Sequence, residues 1–457
     1  MKIKTGFAVF SAKMAKKAMN ILNKKGTHLP GKIASKIDDK IILNMSKPHH
    51  SIAITGTNGK TTTANMIADI IGGLGHKYIS NRLGSNTYYG ISASILDGNT
   101  IFGNNKVEYG IFEVDELWST SVLRQLKPST LTITNLFQDS FERNANIYYI
   151  LKKIENAITE DMKLILNSND SISAFIKTNN QKIYFSVENI FNDEQRIESN
   201  IEDLIYCPLC EEQIIWDYKR YNHIGEYHCK NCDFSMPKSK YTVKSYNEKS
   251  NLITIYDDGE ILELPLIQKT IESVYNQICV YATLRENGFS YEDIKNSMSN
   301  IRIVSSRYNS KIIDDTEIIS MVAKGYNPVA NSRVFDTIGK AEGKKFVVYL
   351  FDNLESKHID VRTPGWISSI DFKYLLNGLE KLVIKSRHAN EFLVAALLQG
   401  IPKEKIVILD DLKELKKYIS RDGKKKIFIL HDIENINLAQ AEKLQDYLVQ
   451  YLKGDIE

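Results

Sequence analysis

Thr55-Gly56-Thr57-Asn58-Gly59-Lys60-Thr61-Thr62 lies between a short β-type run, residues 51–54, and a helical stretch, residues 61–71. That context suits a loop that grips phosphate. Glycines at 56 and 59 let backbone amides approach phosphate oxygens, and the N-terminus of the following helix favours an anion. Lys60 is expected to reach the outer phosphates, and the Thr61 hydroxyl to bind magnesium. A plain strand–turn–helix junction explains the glycines but not Gly-Lys-Thr in succession. The expectation is ATP held by Gly56, Thr57, Asn58, Gly59, Lys60, Thr61 and Thr62.

A second constellation is metal-ligating. Cys207-Pro-Leu-Cys210 and Cys229-Lys-Asn-Cys232 are separated by 18 residues. Each pair can chelate one side of a tetrahedral ion, and four thiolates leave zinc no open position. Such a site is structural, holding together a small element with little core of its own. A redox role would need one exposed pair, not two facing ones. His223 and His228 flank the cluster. Cys279 stands alone on an apolar helical stretch and reads as core. This cysteine usage indicates a reducing, cytoplasmic compartment.

The elements that position these residues follow from periodicity. At 457 residues the chain is long enough for two or three cores, and 43% apolar with 25% charged residues is ordinary globular composition. Strand-like runs at 51–54, 106–114, 130–135 and 163–167 alternate with helical stretches. This argues for an α/β fold with a parallel sheet and sites at the strand C-termini. Residues 178–260 break the rhythm and read as an inserted small β element carrying the cysteines. Helices are expected at about 268–287 and 291–299. A second α/β unit begins near Ile312, with strands at 345–351, 381–385, 405–409 and 426–430 and a last helix at 437–452. The resulting division is an N-terminal helical segment at 1–45, a central ATP-binding domain at 46–305 with a ribbon at about 203–237, and a C-terminal α/β domain at 306–457.

Charge excludes little else. The net value is only +3, so no strong preference for polyanions follows. The ribbon's few basic residues, Lys219, Arg220 and Lys230, argue against a nucleic-acid-binding role. No apolar run approaches the ~20 residues of a membrane span. Residues 1–25 are basic and amphipathic: a surface helix packed on the body, or one that also touches the anionic inner face of a membrane.

The phosphate loop resembles that of the Mur ligase family from Gly56 to Thr62. Two further segments agree. Glu113-Val114-Asp115-Glu116 follows a strand, as the family's magnesium-binding acid does, and Glu113 is the first choice of ligand; Asp115 and Glu116 are equally readable as solvated strand-end acids. Thr134-Asn135 ends a later strand, although Ser140, just after Asp139, stands where most of the family has His. The four-cysteine insertion and the short N-terminal region ending in Leu29-Pro30-Gly31 are similar to one subfamily, the synthetase subunits of lipid II isoglutaminyl synthase. Tyr221-Asn222-His223-Ile224-Gly225, Tyr227-His228-Cys229, Tyr275-Asn276 near the adenine, Arg307, the stretch 324–331, Asp352-Asn353, Asp360-Val361, Trp366-Ile367 and Asp371-Phe372 follow its order.

The resemblance implies an ATP- and magnesium-dependent ligase. It would phosphorylate the α-carboxylate of D-glutamate in a lipid II stem peptide and aminate the acyl phosphate to D-isoglutamine, with Lys60 and Glu113 central. Closure of the C-terminal domain would keep that intermediate dry. Ammonia would come from a GatD-like class I glutaminase forming a heterodimer with this chain, and Asp360 would complete the partner's Cys–His pair. Ser306-Arg307-Tyr308-Asn309 in place of Gly-Arg-x-Glu, extra residues at 362–365, and His431-Asp432-Ile433-Glu434 in place of a Thr-Tyr-Thr-like stretch depart from the subfamily. A Mur-like ligase that joins an amino acid to a carboxylate, as folylpolyglutamate synthase does, is the alternative.

Overall fold

The computed structural model describes residues 2–22, 27–83, 85–138, 146–190, 199–247, 249–301, 308–351, 364–421, 423–432 and 435–456. The chain divides into two compact units. The first comprises Met1–Phe137, Asn146–Glu198 and Glu202–Arg302, and the second Gln138–Ala145, Ser199–Ile201 and Ile303–Glu457.

The first unit begins with α1 (Ile3–Ile21), α2 (Leu29–Ile37) and α3 (Ile41–Asn44). Then come β1 (His50–Thr55), α4 (Lys60–Gly73), β2 (Tyr78–Ser80), α5 (Tyr88–Gly98), β3 (Tyr109–Glu113), α6 (Ser119–Leu126), β4 (Thr130–Ile133), α7 (Ile147–Glu155), β5 (Lys163–Asn167) and β6 (Lys182–Val187). A hairpin of β7 (Ile215–Tyr221) and β8 (Ile224–His228) precedes β9 (Tyr241–Asn247), β10 (Leu252–Asp257), β11 (Glu260–Pro265), α8 (Ile271–Glu286) and α9 (Tyr291–Ser299).

Nine of these strands form one sheet in the order β11-β10-β9-β6-β5-β4-β1-β3-β2. It is parallel from β2 to β9, and β10 and β11 close its edge antiparallel. Strand alternation feeds two cores. Ala53, Phe112, Leu131, Ile133, Leu164 and Leu166 join apolar residues of α1–α3 and α5–α7, and α4 and α8 pack across the other side. A sheet covered on both faces explains why β1 is buried from Ser51 to Thr55.

The reading of residues 178–260 as one insertion is corrected here. β6, β9, β10 and β11 belong to the central sheet, and only the β7–β8 hairpin with its cysteine loops stands apart. The sequence misleads because β10 and β11 form a half-exposed antiparallel edge, whereas β1 from Ser51 onward and β4 are buried at every position.

The second unit contains β12 (Tyr308–Ile313), β13 (Thr316–Val322), α10 (Pro328–Lys340), β14 (Lys344–Phe351), β15 (Leu379–Ser386), α11 (Ala389–Leu398), β16 (Ile406–Ile408), β17 (Lys425–His431) and α12 (Asn435–Lys453). Its sheet runs β12-β13-β17-β14-β15-β16, and only β12 is antiparallel. Val347, Tyr349, Leu382 and Phe428 face α10 and α11, while Phe346, Val348, Val383 and Ile427 face α12.

Candidate nucleotide and metal sites

The phosphate loop leaves β1 at Thr55 and enters α4 at Lys60. Gly56 has φ 127° and Gly59 φ 83°, both in the region that L side chains avoid. Space forbids a side chain as firmly as torsion does. A Cβ at Gly56 would lie 2.3 Å from Thr134 Oγ1 and 2.7 Å from the Asn135 carbonyl oxygen, and one at Gly59 would lie 2.2 Å from Asn276 Oδ1. The loop is therefore walled by residues 134–135 on one side and α8 on the other. The wall is hydrogen-bonded. Thr57 N donates to Asn135 O at 2.8 Å, Asn58 N to Asn135 Oδ1 at 2.9 Å, and Thr134 Oγ1 to Asn58 O at 2.7 Å. The Thr57 hydroxyl donates to Phe137 O at 3.1 Å and accepts from Phe137 N at 2.9 Å. A loop held this way keeps its shape before a phosphate arrives.

Lys60 is turned back on its own loop. Its Nζ donates to the carbonyl oxygen of Gly56, to Thr57 O at 3.3 Å and to Glu116 Oε2 at 3.2 Å. Glu116 is almost wholly buried, at 1% exposure. Glu113 ends β3 and is held differently: Asn86 Nδ2 donates to its Oε1 at 3.1 Å, and Asn81 brackets its backbone through N–H and carbonyl. Asp115 caps the short 3-10 turn of Glu116–Trp118 by accepting from Leu117 N. That turn swings Glu116 toward the lysine. Asp115 and Glu116 are thus buried and engaged, not solvated strand-end acids.

The structure brings Gly56, Thr57, Asn58, Gly59, Lys60, Thr61 and Thr62 together with Asn276, which abuts Gly59. Arg307, Asp360, Asp139 and Ser140 lie outside the described residues. Sequence reasoning gave Glu116 no priority, and the signal was its register: three residues past Glu113, beyond the strand end.

The four cysteines converge. Cys207 Sγ and Cys232 Sγ are 3.4 Å apart, Cys210 Sγ and Cys229 Sγ 3.5 Å, and all four sulfurs lie within 4.8 Å of one another. Tetrahedral zinc with ~2.3 Å bonds sets sulfurs about 3.8 Å apart, so the set fits the ion. Leu209 N points at Cys207 Sγ and Asn231 N at Cys229 Sγ, each at 3.4 Å. Backbone amides aimed at sulfur suit thiolate ligands. Within the set the Glu212 amide leads the groups that hold Cys210 down to about 7, while Cys232, despite the Phe234 amide, is pushed up to about 12 by burial and the other three sulfurs. Cys279 is buried in α8, and burial pushes its thiol well up, as a core cysteine requires.

Neither histidine joins the cluster. His228 Nδ1 lies 3.0 Å from Asp217. His223 is fully buried at the hairpin tip, with Nδ1 2.8 Å from Asp203 Oδ2 and Nε2 3.2 Å from Asp170 Oδ1. Burial opposes its charge, but the two carboxylates outweigh that and push it up to about 9. Asp170 is held below its ordinary value, the His223 contact offsetting its own burial. Asp170 Oδ2 also accepts from Leu136 N at 2.8 Å, and Leu136 adjoins the Phe137 that clasps Thr57. The cysteine hairpin is thereby wired to the wall of the phosphate loop.

In the second unit, Asn327 caps α10 by accepting from Ala330 N at 2.8 Å, and Tyr349 OH donates to Asn331 Oδ1 at 2.7 Å. Trp366 is buried against Tyr326, Phe351 and Phe392. Asp371 accepts from Asn200 N at 2.7 Å and Ser199 Oγ at 2.9 Å. These residues, marked out in the sequence as signature positions, fix the backbone of this unit.

With this geometry in view, the similarities are specific. A Mur ligase middle domain matches residues 54–232. The chain is 29% identical over 421 residues to the lipid II isoglutaminyl synthase (glutamine-hydrolyzing) subunit MurT of Staphylococcus aureus strain COL, covering 91% of this chain and 93% of that one. The subunit of the same name from Streptococcus pneumoniae R6 is 24% identical over 440 residues, covering 94% and 95%. Among solved structures, a pseudomurein peptide ligase type C from Methanothermus fervidus matches with a TM-score of 0.68 at 19% identity, over 90% of this chain and 81% of that one, which supports the fold.

Proposed function

We propose that this chain, a Mur ligase homologue similar to MurT subunits along nearly its whole length, is the synthetase subunit that amidates the D-glutamate of lipid II. The observation that carries the reading is one combination: a Mur-type phosphate loop and a four-thiol hairpin wired to it, in a chain that aligns with MurT over 91% of its length.

A carboxylate is a poor acyl donor. Transfer of the γ-phosphoryl group of ATP to one α-carboxylate oxygen breaks the bond to ADP and forms an acyl phosphate. Ammonia then adds to the carbonyl carbon, phosphate leaves with the C–O bond, and loss of a proton gives the amide. Lys60 already sits at the loop mouth, and nucleotide would draw its ammonium from Glu116 and the loop carbonyls onto phosphoryl oxygens. Thr61, Glu113 and Glu116 would hold magnesium, which when bound neutralises charge on the phosphates. Cys207, Cys210, Cys229 and Cys232 would hold zinc as a structural ion. The assignment of ATP capture to residues 46–305 and of partner contact to residues 306–457 belongs to the same reading, as do Arg307 at the nucleotide and Asp360 toward a GatD-like glutaminase.

The alternative, a ligase for an amino acid, loses ground to the similarity with glutamine-hydrolyzing synthases. The test is an amidation assay read by mass spectrometry. Protein, ATP, magnesium and lipid II with ammonium should convert acid to amide, and glutamine should serve only when the glutaminase is added. Product formed only with an added amino acid would overturn the proposal. A lipid-borne substrate also requires that the catalyst reach a membrane surface.

A further inference from the structure

Helix α1 has two apolar faces. Thr5, Ala8, Val9 and Ala12 are buried where it packs on α2 and α5. Ile3, Phe7, Phe10, Met14 and Ile21 are exposed by 93%, 62%, 50%, 51% and 75%. At ~3.6 residues per turn these five fall within an arc of about 60°, opposite the buried face. A single exposed apolar side chain is unremarkable, but five on one line, two of them phenylalanines, make a stripe from Ile3 to Met14 that resumes at Ile21.

Lysines border it. By the same helical geometry Lys4 lies on one flank, where it pairs with Asp39 at 3.5 Å, Lys2 and Lys13 lie on the other, and Lys17 lies near the stripe itself. Lys13 reaches the carbonyls of Leu96 and Asn99 at the C-terminal end of α5, and Lys16 pairs with Asp97 on the buried side. The first carboxylate in the chain is Asp38, so α1 has no acid of its own.

We propose that α1 is a docking face for an anionic lipid surface, lying in the headgroup plane with Phe7, Phe10 and Met14 in the acyl boundary and Lys2 and Lys17 on headgroup phosphates. The charge pattern selects this occupant. A second copy meeting the same stripe would bring Lys2 and Lys17 against their counterparts with no acid on either α1 to pair them, whereas anionic headgroups complement these lysines. The helix does not cross: no described helix is long and apolar enough to do so. Dispersed lysines on a narrow apolar stripe give reversible attachment that weakens with salt.

The inference extends the proposed function by placing the first unit where a lipid-carried stem peptide is found. Its test uses vesicles free of lipid II. Failure to bind them leaves the amidation reading standing, and failure to amidate leaves the docking standing.

The experiment is vesicle flotation of the full chain with phosphatidylcholine vesicles, or with vesicles in which one lipid in four is phosphatidylglycerol, at low and high salt. F7E/F10E alters only exposed side chains, and matched thermal melts and ATP binding check its fold. The expected result is flotation with the anionic vesicles, reduced by salt and lowered at least about tenfold in partition by F7E/F10E. Three results would each overturn the proposal: no binding of the native chain to anionic vesicles, equal binding by the folded variant, or a concentration-dependent dimer abolished by F7E/F10E with no vesicle binding.

Discussion

Lys60 Nζ lies 3.2 Å from Glu116 Oε2, and the glutamate is the more buried partner. The phosphate-loop lysine is thus held by a carboxylate one short turn beyond the end of β3. A buried acid at this distance can orient the lysine, and it can turn to magnesium once the lysine moves to phosphate.

The first prediction separates the two acids. K60M should abolish ATP-dependent amidation. E116Q should lower kcat on the order of 100-fold and raise the magnesium requirement, with a smaller loss for E113Q, whose carboxylate is engaged by Asn86. Amidation rates with ammonium across a magnesium titration decide the order. If E113Q is the more damaging, Glu113 is the principal ligand and Glu116 only parks the lysine.

Much of this site was legible because it is local. Gly56 to Thr62 announces a loop shape through residue type alone, and the cysteine spacing announces a chelate. Glu116 was not legible, because choosing it over Glu113 depends on the 3-10 turn of Glu116–Trp118, which Asp115 caps just beyond the strand. Asp170 and Asp203 were invisible for a different reason. Their partner His223 arrives from 20 to 53 residues away in sequence, in a hairpin whose docking no local pattern encodes. The same distance effect hid the place of β9–β11, whose hydrogen bonds to the central sheet are set by the pairing of β9 with β6.

Substitution at the glycines should discriminate torsion from space. G59A incurs the left-handed penalty of about 1–2 kcal/mol and must displace the Asn276 side chain, which can move. ATP affinity should fall about tenfold or more. G56A meets the Asn135 backbone oxygen as well and should be worse. Nucleotide titration of both variants checks this; equal losses would mean that contact with the 134–135 wall is not limiting.

His223 predicts a pH dependence of stability. Its folded value, about 9, stands above the ordinary 6.5. A raised histidine contributes stability that is full below about 6.5 and lost as pH climbs through about 9, at most about 3 kcal/mol for an ideal pair. The melting temperature of the native chain should exceed that of H223N most at pH 6 and least near pH 9.5. A gap that does not narrow with rising pH would mean that the imidazole is neutral and packs only sterically.

Metal removal should be felt at a distance. The four clustered cysteines lie on the loops of the β7–β8 hairpin, and the hairpin reaches the phosphate loop through His223, Asp170 and Leu136. The purified chain should carry one zinc. Its removal by a chelator, or C229S, should lower the melting temperature and weaken ATP binding by about tenfold while leaving the phosphate-loop sequence intact. Unchanged ATP affinity in a stably folded, zinc-free protein would detach the hairpin from catalysis.

Asp360 allows the sharpest division between the two half-reactions, because ammonia can be supplied in two ways. Glutamine hydrolysis needs a thiolate made by a neighbouring imidazole, and an imidazole is oriented and kept protonated by a carboxylate. If Asp360 supplies that carboxylate to a glutaminase, its charge matters to hydrolysis and not to phosphoryl transfer by Lys60. D360N in the complex should therefore keep amidation from ammonium within about twofold, while amidation from glutamine falls on the order of 100-fold or more. The ratio of the two rates is the measurement, since a misfolded C-terminal unit would depress both. Equal loss on both donors would place Asp360 in substrate binding or in the fold; loss on neither would leave the partner with its own acid.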